Sequence, residues 1–312
     1  MRDILETLSA WNAEGLRSAW AIVVRTERSA PREPGTALAV NERGDVIGSV
    51  SGGCVEPAVY EEARDVLSGG PPRLVEYGIA DETAFEVGLP CGGTIDVFVD
   101  SVDTALVTEL VTAVEEERPV ELQVTISGEG AGERLVVPAS GRGEPVLEGD
   151  VFHLPLLPRP RMYVFGAVAH ADALARAGHL LGYRVTVSDA RAAFVTPERV
   201  PDADELVVGW PDEVLRHAPV DERTAICVLT HDHKLDIPAL KAALASPAGY
   251  IGAMGSKRTT EAREALLREE GVSDKELARI RAPIGLDIGS RTPAEVAIAV
   301  AAEIVAARRG RV

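Results

Sequence analysis

The chain has few cysteines, few aromatic residues and too little positive charge to balance its acids. Its three cysteines (Cys54, Cys91 and Cys227) are an odd number without framework spacing or a C-x-x-C pair. This excludes a disulfide scaffold and a zinc module. The same cysteine usage predicts a reducing cytoplasm as the compartment of the protein.

The shortage of positive charge also excludes a class of partner. Acidic residues outnumber basic ones by 49 to 32, and the net charge is −17. Nucleic acids bind basic surfaces, so nucleic acid is not expected as a partner, and any anionic ligand must be held by local donors. No apolar run reaches about 18 residues and no signal-type segment opens the chain, so no membrane segment is expected.

The length and apolar content are those of a two-domain globular protein. The 312 residues are 46% hydrophobic. Apolar spacing predicts a first helix, a buried strand over 19–24, a hairpin over 36–50 and further mixed elements, which indicate an α+β domain. The proline-rich stretch 154–160 predicts a linker. We therefore expect an α/β protein with an N-terminal α+β domain at 1–157 and a C-terminal Rossmann-like, parallel-sheet domain at 158–312.

The stretch 48–57 places a thiol between flexible backbone and the start of a helix. Gly52 and Gly53 follow a predicted strand and permit positive φ, and Pro57 suits the first turn of a helix. Cys54 is therefore predicted near a helix N-terminus, where unpaired N–H groups favour a thiolate and hold anions. The alternative is a tight turn with a small buried cysteine.

A second cysteine corner occupies residues 88–94. Cys91 precedes Gly92 and Gly93, and a strand predicted over 94–99 alternates in the period-two manner. Two Cys–Gly corners in one domain favour a shared pocket over two independent turns. Arg32, in a rigid loop before the hairpin, is a candidate anion donor to the same pocket.

From Met162 onward short strands alternate with helices, a pattern that predicts a right-handed parallel sheet. Ligands of such sheets bind beyond the carboxyl ends of the strands. The segments expected along that rim are Gly166, Asp189, residues 230–234 and residues 252–258.

Two features of the rim resemble nucleotide sites. Gly166 stands where a dinucleotide loop begins, and Asp189 is at a fitting distance for a ribose hydroxyl. Val168 replaces the second glycine, however, and its side chain obstructs a pyrophosphate, so NAD(P) binding is disfavoured. Ser256 and Lys257 precede a predicted helix and are candidates for phosphate binding, with a capped glycine turn as the alternative.

A histidine-containing segment follows another strand of the same sheet. His231 and His233 are predicted to alternate on a strand end, which disfavours metal chelation by the pair. His231, Asp232 and Lys234 are instead candidates for binding a heterocycle or exchanging protons. Cys227 lies within an apolar run and is predicted to be core.

Six motifs follow one another along the chain: Ala30-Pro31-Arg32-Glu33-Pro34-Gly35, Ser51-Gly52-Gly53-Cys54-Val55-Glu56, Pro90-Cys91-Gly92-Gly93, Thr230-His231-Asp232-His233-Lys234-Leu235-Asp236, Ile251-Gly252-Ala253-Met254-Gly255-Ser256-Lys257 and Ala282-Pro283-Ile284-Gly285-Leu286. Together they resemble one known family, the XdhC/CoxI family of xanthine dehydrogenase accessory proteins. The similarity is collinear over nearly the whole chain.

The resemblance implies a chaperone that binds the molybdenum cofactor (molybdopterin). Such a protein assists sulfuration of the cofactor with a cysteine desulfurase and inserts it into a molybdenum hydroxylase apoenzyme such as xanthine dehydrogenase. It also implies a homodimer, and a role for Cys54 and Cys91 in cofactor binding, with contact to molybdenum or the dithiolene. Soft thiolates suit that chemistry. The alternatives are an NAD(P)-dependent oxidoreductase and a cysteine-based sulfur-transfer or redox enzyme.

Overall fold

The computed structural model describes residues 1–28, 32–78 and 93–312 and divides into two units, Met1–Pro158 and Arg159–Val312. The first unit contains, in order, α1 (Arg2–Ala13), β1 (Ser18–Glu27), β2 (Ala37–Asn41), β3 (Val46–Gly48), α2 (Glu56–Leu67), β4 (Arg73–Tyr77), β5 (Thr94–Val102), α3 (Thr104–Glu115), β6 (Val120–Thr125), β7 (Arg134–Pro138), β8 (Val146–Glu148) and β9 (Val151–Leu156). The second contains β10 (Arg161–Phe165), α4 (Ala169–Leu180), β11 (Arg184–Asp189), β12 (Glu205–Val208), α5 (Pro211–His217), β13 (Ala225–Val228), α6 (His233–Leu244), β14 (Tyr250–Ala253), α7 (Lys257–Glu269), α8 (Asp274–Leu277), β15 (Ile280–Arg281) and α9 (Pro293–Arg308).

The larger sheet of the first unit has the order β3-β2-β1-β5-β4 and is antiparallel throughout. Its two faces both pack into apolar clusters, one with α1 and α3 and the other with α2. The predicted alternation along β5 is therefore wrong. Residues 95–100 are buried in succession because this inner strand is covered on both faces.

The predicted linker over 154–160 is shorter than expected. Leu154 and Leu156 are buried and belong to β9, which pairs with β6 in a second sheet of order β7-β6-β9-β8. Pro155 has no N–H to donate to a neighbouring strand. It is tolerated because it lies past the end of β8, so no carbonyl of β8 loses a hydrogen-bond partner. The connection between the units is thus limited to residues 157–160.

The sheet of the second unit has the order β12-β11-β10-β13-β14-β15, and every adjacent pair is parallel. This is the strand order of a doubly wound Rossmann sheet. Helices α4 and α9 pack on one face, and α5, α6 and α7 pack on the other. The predicted fold class, an α+β domain followed by a Rossmann-like domain, is confirmed. Within the described residues, no helix is long and apolar enough to span a membrane.

Candidate functional site

The Cys54 loop (residues 49–55) follows β3 at one end of the larger sheet of the first unit. Leu38 at the start of β2 is paired with Gly48 at the end of β3, and Glu27 at the end of β1 is paired with Thr94 at the start of β5. The antiparallel register therefore brings three segments to the same end of the sheet. They are the loop over 49–55, the loop that contains Arg32, and Gly93.

The carboxylate of Glu56, the first residue of α2, organises the Cys54 loop. It accepts six hydrogen bonds from residues 49–53. The donors are Ser49 Oγ at 2.6 Å, the backbone N–H groups of Val50 (3.1 Å), Ser51 (2.9 Å), Gly52 (3.0 Å) and Gly53 (2.8 Å), and Ser51 Oγ. The anion that the loop surrounds is thus the Glu56 carboxylate of the protein itself.

These contacts correct the expectation of unpaired N–H groups beside Cys54. The backbone N–H of Cys54 donates to Ser51 Oγ at 2.9 Å, and that of Val55 donates to the same atom at 3.0 Å. Gly52 and Gly53 have φ of +81° and +115°, and a Cβ on either would meet open space, so backbone conformation rather than crowding requires glycine there. The Cys54 side chain itself is exposed.

The charge of Glu56 follows from these contacts. Burial on its own would raise the pKa of this carboxyl, but the hydrogen bonds from Ser49, Ser51 and the loop backbone outweigh burial and lower the pKa to about 2. At neutral pH the loop therefore closes around a carboxylate.

Acid should weaken the Cys54 loop. Because the pKa of Glu56 is lower in the folded state, its stabilisation is complete above the ordinary value of 4.5 and is lost as the pH falls towards 2. The expected contribution is about 1–3 kcal/mol, reduced from the full shift because the carboxylate is partly exposed. The measurement is amide hydrogen exchange of residues 50–53 between pH 5 and pH 3, compared with Glu56→Gln, which does not titrate. A wild-type advantage that stayed constant with pH would contradict the assignment.

Most of the second cysteine corner (residues 88–94) lies outside the described residues. Cys91 and Gly92 lie outside the described residues, so their predicted part in a shared pocket stays a prediction. Gly93 lies immediately before β5, and Arg32 is exposed in the loop between β1 and β2. No group of three or more His, Cys, Asp or Glu side chains positioned to hold a metal ion occurs in the described ranges.

In the second unit, the parallel register places the predicted rim residues at the carboxyl edge of the sheet, but two of them serve the fold. A Cβ on Gly166 would lie 2.8 Å from Thr230 Cγ2, so glycine is required where the loop after β10 packs against the loop after β13. Asp189 is buried and accepts from Ala167 N–H at 3.0 Å and from Arg191 N–H, Nε and Nη2 at 2.9, 2.9 and 2.7 Å. Burial would raise the pKa of Asp189, but these bonds lower it. Its carboxylate thus holds the loop rather than standing free for a ribose hydroxyl.

The histidine segment is not a strand end as predicted. His233 is the first residue of α6, and Asp232 is the N-cap, whose side chain accepts from Lys234 N–H at 3.0 Å. His231, Asp232 and Lys234 are exposed. The N-cap preference of Asp explains why the helix begins here.

A cavity of about 520 Å³ lies at the rim, within the second unit. Its polar lining includes His170, Lys257 and Asp287, and its apolar lining includes Met254 and Leu286. Among the rim residues predicted from the sequence, Met254, Gly255 and Lys257 line this cavity. Ser256 caps α7 beside it and accepts from Thr259 N–H at 3.2 Å, while Gly166, Asp189 and residues 231–234 do not line it.

Residues 283–290 form one wall of the cavity, and a buried carboxylate of α9 holds this wall in place. Glu303 of α9 accepts from Gly285 N–H at 2.8 Å and from the Tyr250 hydroxyl at 2.5 Å. Gly285 has φ of +91°, and a Cβ there would lie 3.1 Å from Val300 N. The motif around Pro283 is therefore explained by a tight turn on α9.

Sequence reasoning missed a buried ion pair that connects the rim segments. Arg263 of α7 and Asp236 of α6 are 2% and 0% exposed and are joined at 2.9 Å. Asp236 also accepts from the Thr230 hydroxyl, and Arg263 donates to the Met254 carbonyl at 2.7 Å. The pair thus ties the loop after β13 to the loop after β14. The available signal was a charged residue on the apolar face of each helix, four positions before Leu240 and Leu267.

Comparisons with known proteins agree with this architecture. Residues 11–78 match the model of the XdhC and CoxI family, and residues 162–304 match that of the XdhC Rossmann domain. An Escherichia coli K12 protein named molybdenum cofactor insertion chaperone PaoD is 29% identical over 99% of this chain and 90% of its own length. A Bacillus subtilis 168 protein, named as a probable subunit of xanthine dehydrogenase, is 27% identical over 93% of this chain and 92% of its own.

A solved structure extends the similarity to the complete fold. A Bacillus halodurans protein described as a xanthine dehydrogenase superposes with a TM-score of 0.81 at 25% identity, covering 99% of this chain and 96% of that one. The two family models together span about two thirds of the sequence and fall one in each unit. The chain belongs to the XdhC/CoxI family.

Proposed function

We propose that this protein is a molybdenum cofactor insertion chaperone for a molybdenum hydroxylase of the xanthine dehydrogenase type. The observation that carries the proposal is the exposed thiol of Cys54 on a loop held by the Glu56 carboxylate. The cofactor is cargo in this scheme, taken up and handed on, so no turnover by the protein is required.

The Cys54 loop suits a soft, reversible contact with the cargo. A thiolate is a soft ligand that matches molybdenum or the sulfur chemistry of a dithiolene. Because Glu56 fixes the loop before binding, little conformational freedom is lost when the thiol engages. Cys91 is proposed as the second thiol contact, in keeping with the family resemblance.

The cavity of the second unit, taken by itself, is a separate candidate site for the cofactor. A volume of about 520 Å³ falls within the range of small-molecule pockets, roughly 300–1,000 Å³. Lys257 and the N-terminus of α7 provide positive potential for a phosphate. Met254 and Leu286 offer apolar contact to a ring system, and His170 and Asp287 offer hydrogen bonds to its edge.

The finer steps of the pathway belong to the same proposal. We place the protein in the cytoplasm, where it assists sulfuration of the bound cofactor together with a cysteine desulfurase and inserts the cofactor into the hydroxylase apoenzyme. The NAD(P) oxidoreductase alternative gains no support from Asp189, whose oxygens are occupied by Arg191 and Ala167.

The test is the molybdenum and pterin content of the protein purified from cells that make the cofactor. We expect close to one pterin per chain in the wild type and at least a tenfold loss in Cys54→Ala, because the thiol contact is removed. Cys227→Ala is the matched control, since that thiol is fully buried in the core and should leave the content unchanged.

Transfer provides the second readout of the same experiment. Wild-type protein loaded with cofactor should activate a purified hydroxylase apoenzyme, and Cys54→Ala should activate it far less. Absence of pterin from the wild type, or equal pterin in the wild type and Cys54→Ala, would refute the role proposed for this cysteine.

A further inference from the structure

A second pocket of the Rossmann unit lies at the amino edge of its sheet, whereas the cavity described above lies at the carboxyl edge. The lining of this amino-edge pocket includes Tyr250 at the start of β14, Arg281 of β15 and Ala307 near the end of α9. The starts of β14 and β15 share this edge because the two strands are parallel. The pocket encloses about 250 Å³, less than the roughly 300–1,000 Å³ of sites for drug-sized molecules, so it fits a small ligand.

The lining of the amino-edge pocket is positively charged, although the chain has a net charge of −17. Arg279 and Arg281 line it, and among the described residues no Asp or Glu side chain does. Positions 308, 309 and 311, at and just after the end of α9, are also arginines. A concave surface of one charge sign raises the local concentration of ions of the opposite sign. The pocket therefore favours an anion and disfavours a metal ion.

Arg279 is held in place by neutral groups. Its guanidinium donates to three backbone carbonyls of residues 244–248, at 2.6, 3.1 and 3.2 Å. These carbonyls fix the side chain without neutralising its charge. The charge of Glu276 acts on Arg279, but the Glu276 side chain is exposed, and its carboxylate accepts from the N–H and hydroxyl of Ser273 at 2.8 and 2.6 Å. The positive charge of Arg279 is thus preorganised at the pocket.

Arg281 supplies the donors for a ligand. Its side chain is half-buried and forms no hydrogen bond or ion pair within the described part of the chain. Burial raises the pKa of the Tyr250 hydroxyl, and the charge of Arg281 opposes that rise, so the guanidinium lies near the ring that lines the pocket. A guanidinium presents five N–H donors in a planar fork that fits two oxygens of a phosphate or carboxylate.

We propose that the amino-edge pocket binds a small oxyanion, phosphate or a phosphate monoester, between Arg279 and Arg281. Two guanidinium groups match a phosphate group, whose charge is between roughly −1.5 and −2 near pH 7. The inference is independent of the proposed function, because this pocket shares no lining residue with the cavity at the carboxyl edge.

Calorimetric titration with inorganic phosphate tests the site. The full chain carrying Lys257→Gln is the starting protein, so that the cavity at the carboxyl edge contributes little. We expect one phosphate per chain, and adding Arg281→Gln should weaken binding at least tenfold, as for the loss of a charge-assisted hydrogen bond. Arg281→Lys should fall between the two, because it keeps the charge but loses the fork. Arg216→Gln, at an exposed arginine of α5, is the matched control and should leave the affinity unchanged.

The remaining outcomes are equally definite. Absence of phosphate binding, equal binding with and without Arg281→Gln when circular dichroism shows both proteins folded, or heat that sodium chloride reproduces at equal ionic strength would overturn the proposal. Glycerol phosphate distinguishes the source of the anion. Tighter binding of the ester than of free phosphate would identify a phosphate monoester as the ligand, and the reverse would identify the free ion. The pterin content of the protein does not enter this test, so its failure would leave the proposed function untouched.

Discussion

Replacing Arg263 by alanine should destabilise the Rossmann unit by about 3–5 kcal/mol. The substitution leaves the Asp236 carboxylate, which is 0% exposed, without its cationic partner in a site that water does not reach. The cost comes from an uncompensated buried charge rather than from the lost attraction alone.

The geometry of the pair explains why the effect should reach the cavity. Arg263 holds the Met254 carbonyl, and Met254 lines the cavity wall. Asp236 holds the Thr230 hydroxyl, and Thr230 packs against the backbone of Gly166. Loss of the pair therefore loosens two neighbouring rim loops together.

A double substitution separates the cost of the uncompensated buried charge from the cost of the lost attraction between Arg263 and Asp236. Asp236→Leu combined with Arg263→Met removes both charges and keeps apolar volume, and it should be more stable than either single variant. Nε and Nη1 of Arg263 have no hydrogen-bond partner among the described residues, which further favours the apolar replacement. Hydrogen exchange of β13 and α6 amides reports this unit by itself. A double variant less stable than Arg263→Ala would contradict the explanation.

The sequence was sufficient to predict the fold because its signals are local. The hairpin over 36–50, the helix cap at Thr292 and the alternation of strands and helices after Met162 each depend on a few neighbouring residues. The end of the first domain was less predictable, since prolines in 154–160 indicate a linker until the pairing partner of β9 is known.

The candidate site was less predictable because its contacts depend on which hydrogen-bond donors and acceptors the folded chain brings together. The motif around Cys54 predicted a loop and a helix start, but the loop N–H groups are occupied by Glu56 rather than left open for a ligand. A Glu in the first turn that reaches back to preceding N–H groups resembles a capping box, and this was the available signal. The link between Asp236 and Arg263 spans 27 positions, and no periodicity encodes such a pair.

Replacing Glu56 by alanine should release the Cys54 loop and reduce cofactor retention at least tenfold although the thiol remains. Six hydrogen bonds lose their shared acceptor, and the expected cost in stability is about 2–4 kcal/mol. The direct measurement is amide exchange of residues 50–53, which should accelerate at least 100-fold. Glu61→Ala removes an exposed acid from the same helix and is the matched control.

The two readouts together distinguish positioning from direct contact. Glu56→Gln keeps an amide oxygen as acceptor but loses the charge, so it should fall between the wild type and Glu56→Ala in both amide protection and pterin content. Parallel loss of protection and pterin across this series would mean that Glu56 acts by fixing the loop from which Cys54 reaches its cargo. Full pterin content in Glu56→Ala, despite rapid amide exchange in the loop, would mean that the Cys54 thiol binds the cofactor without a preorganised loop. The contacts of Glu56 would then serve only the folding of the loop and the start of α2.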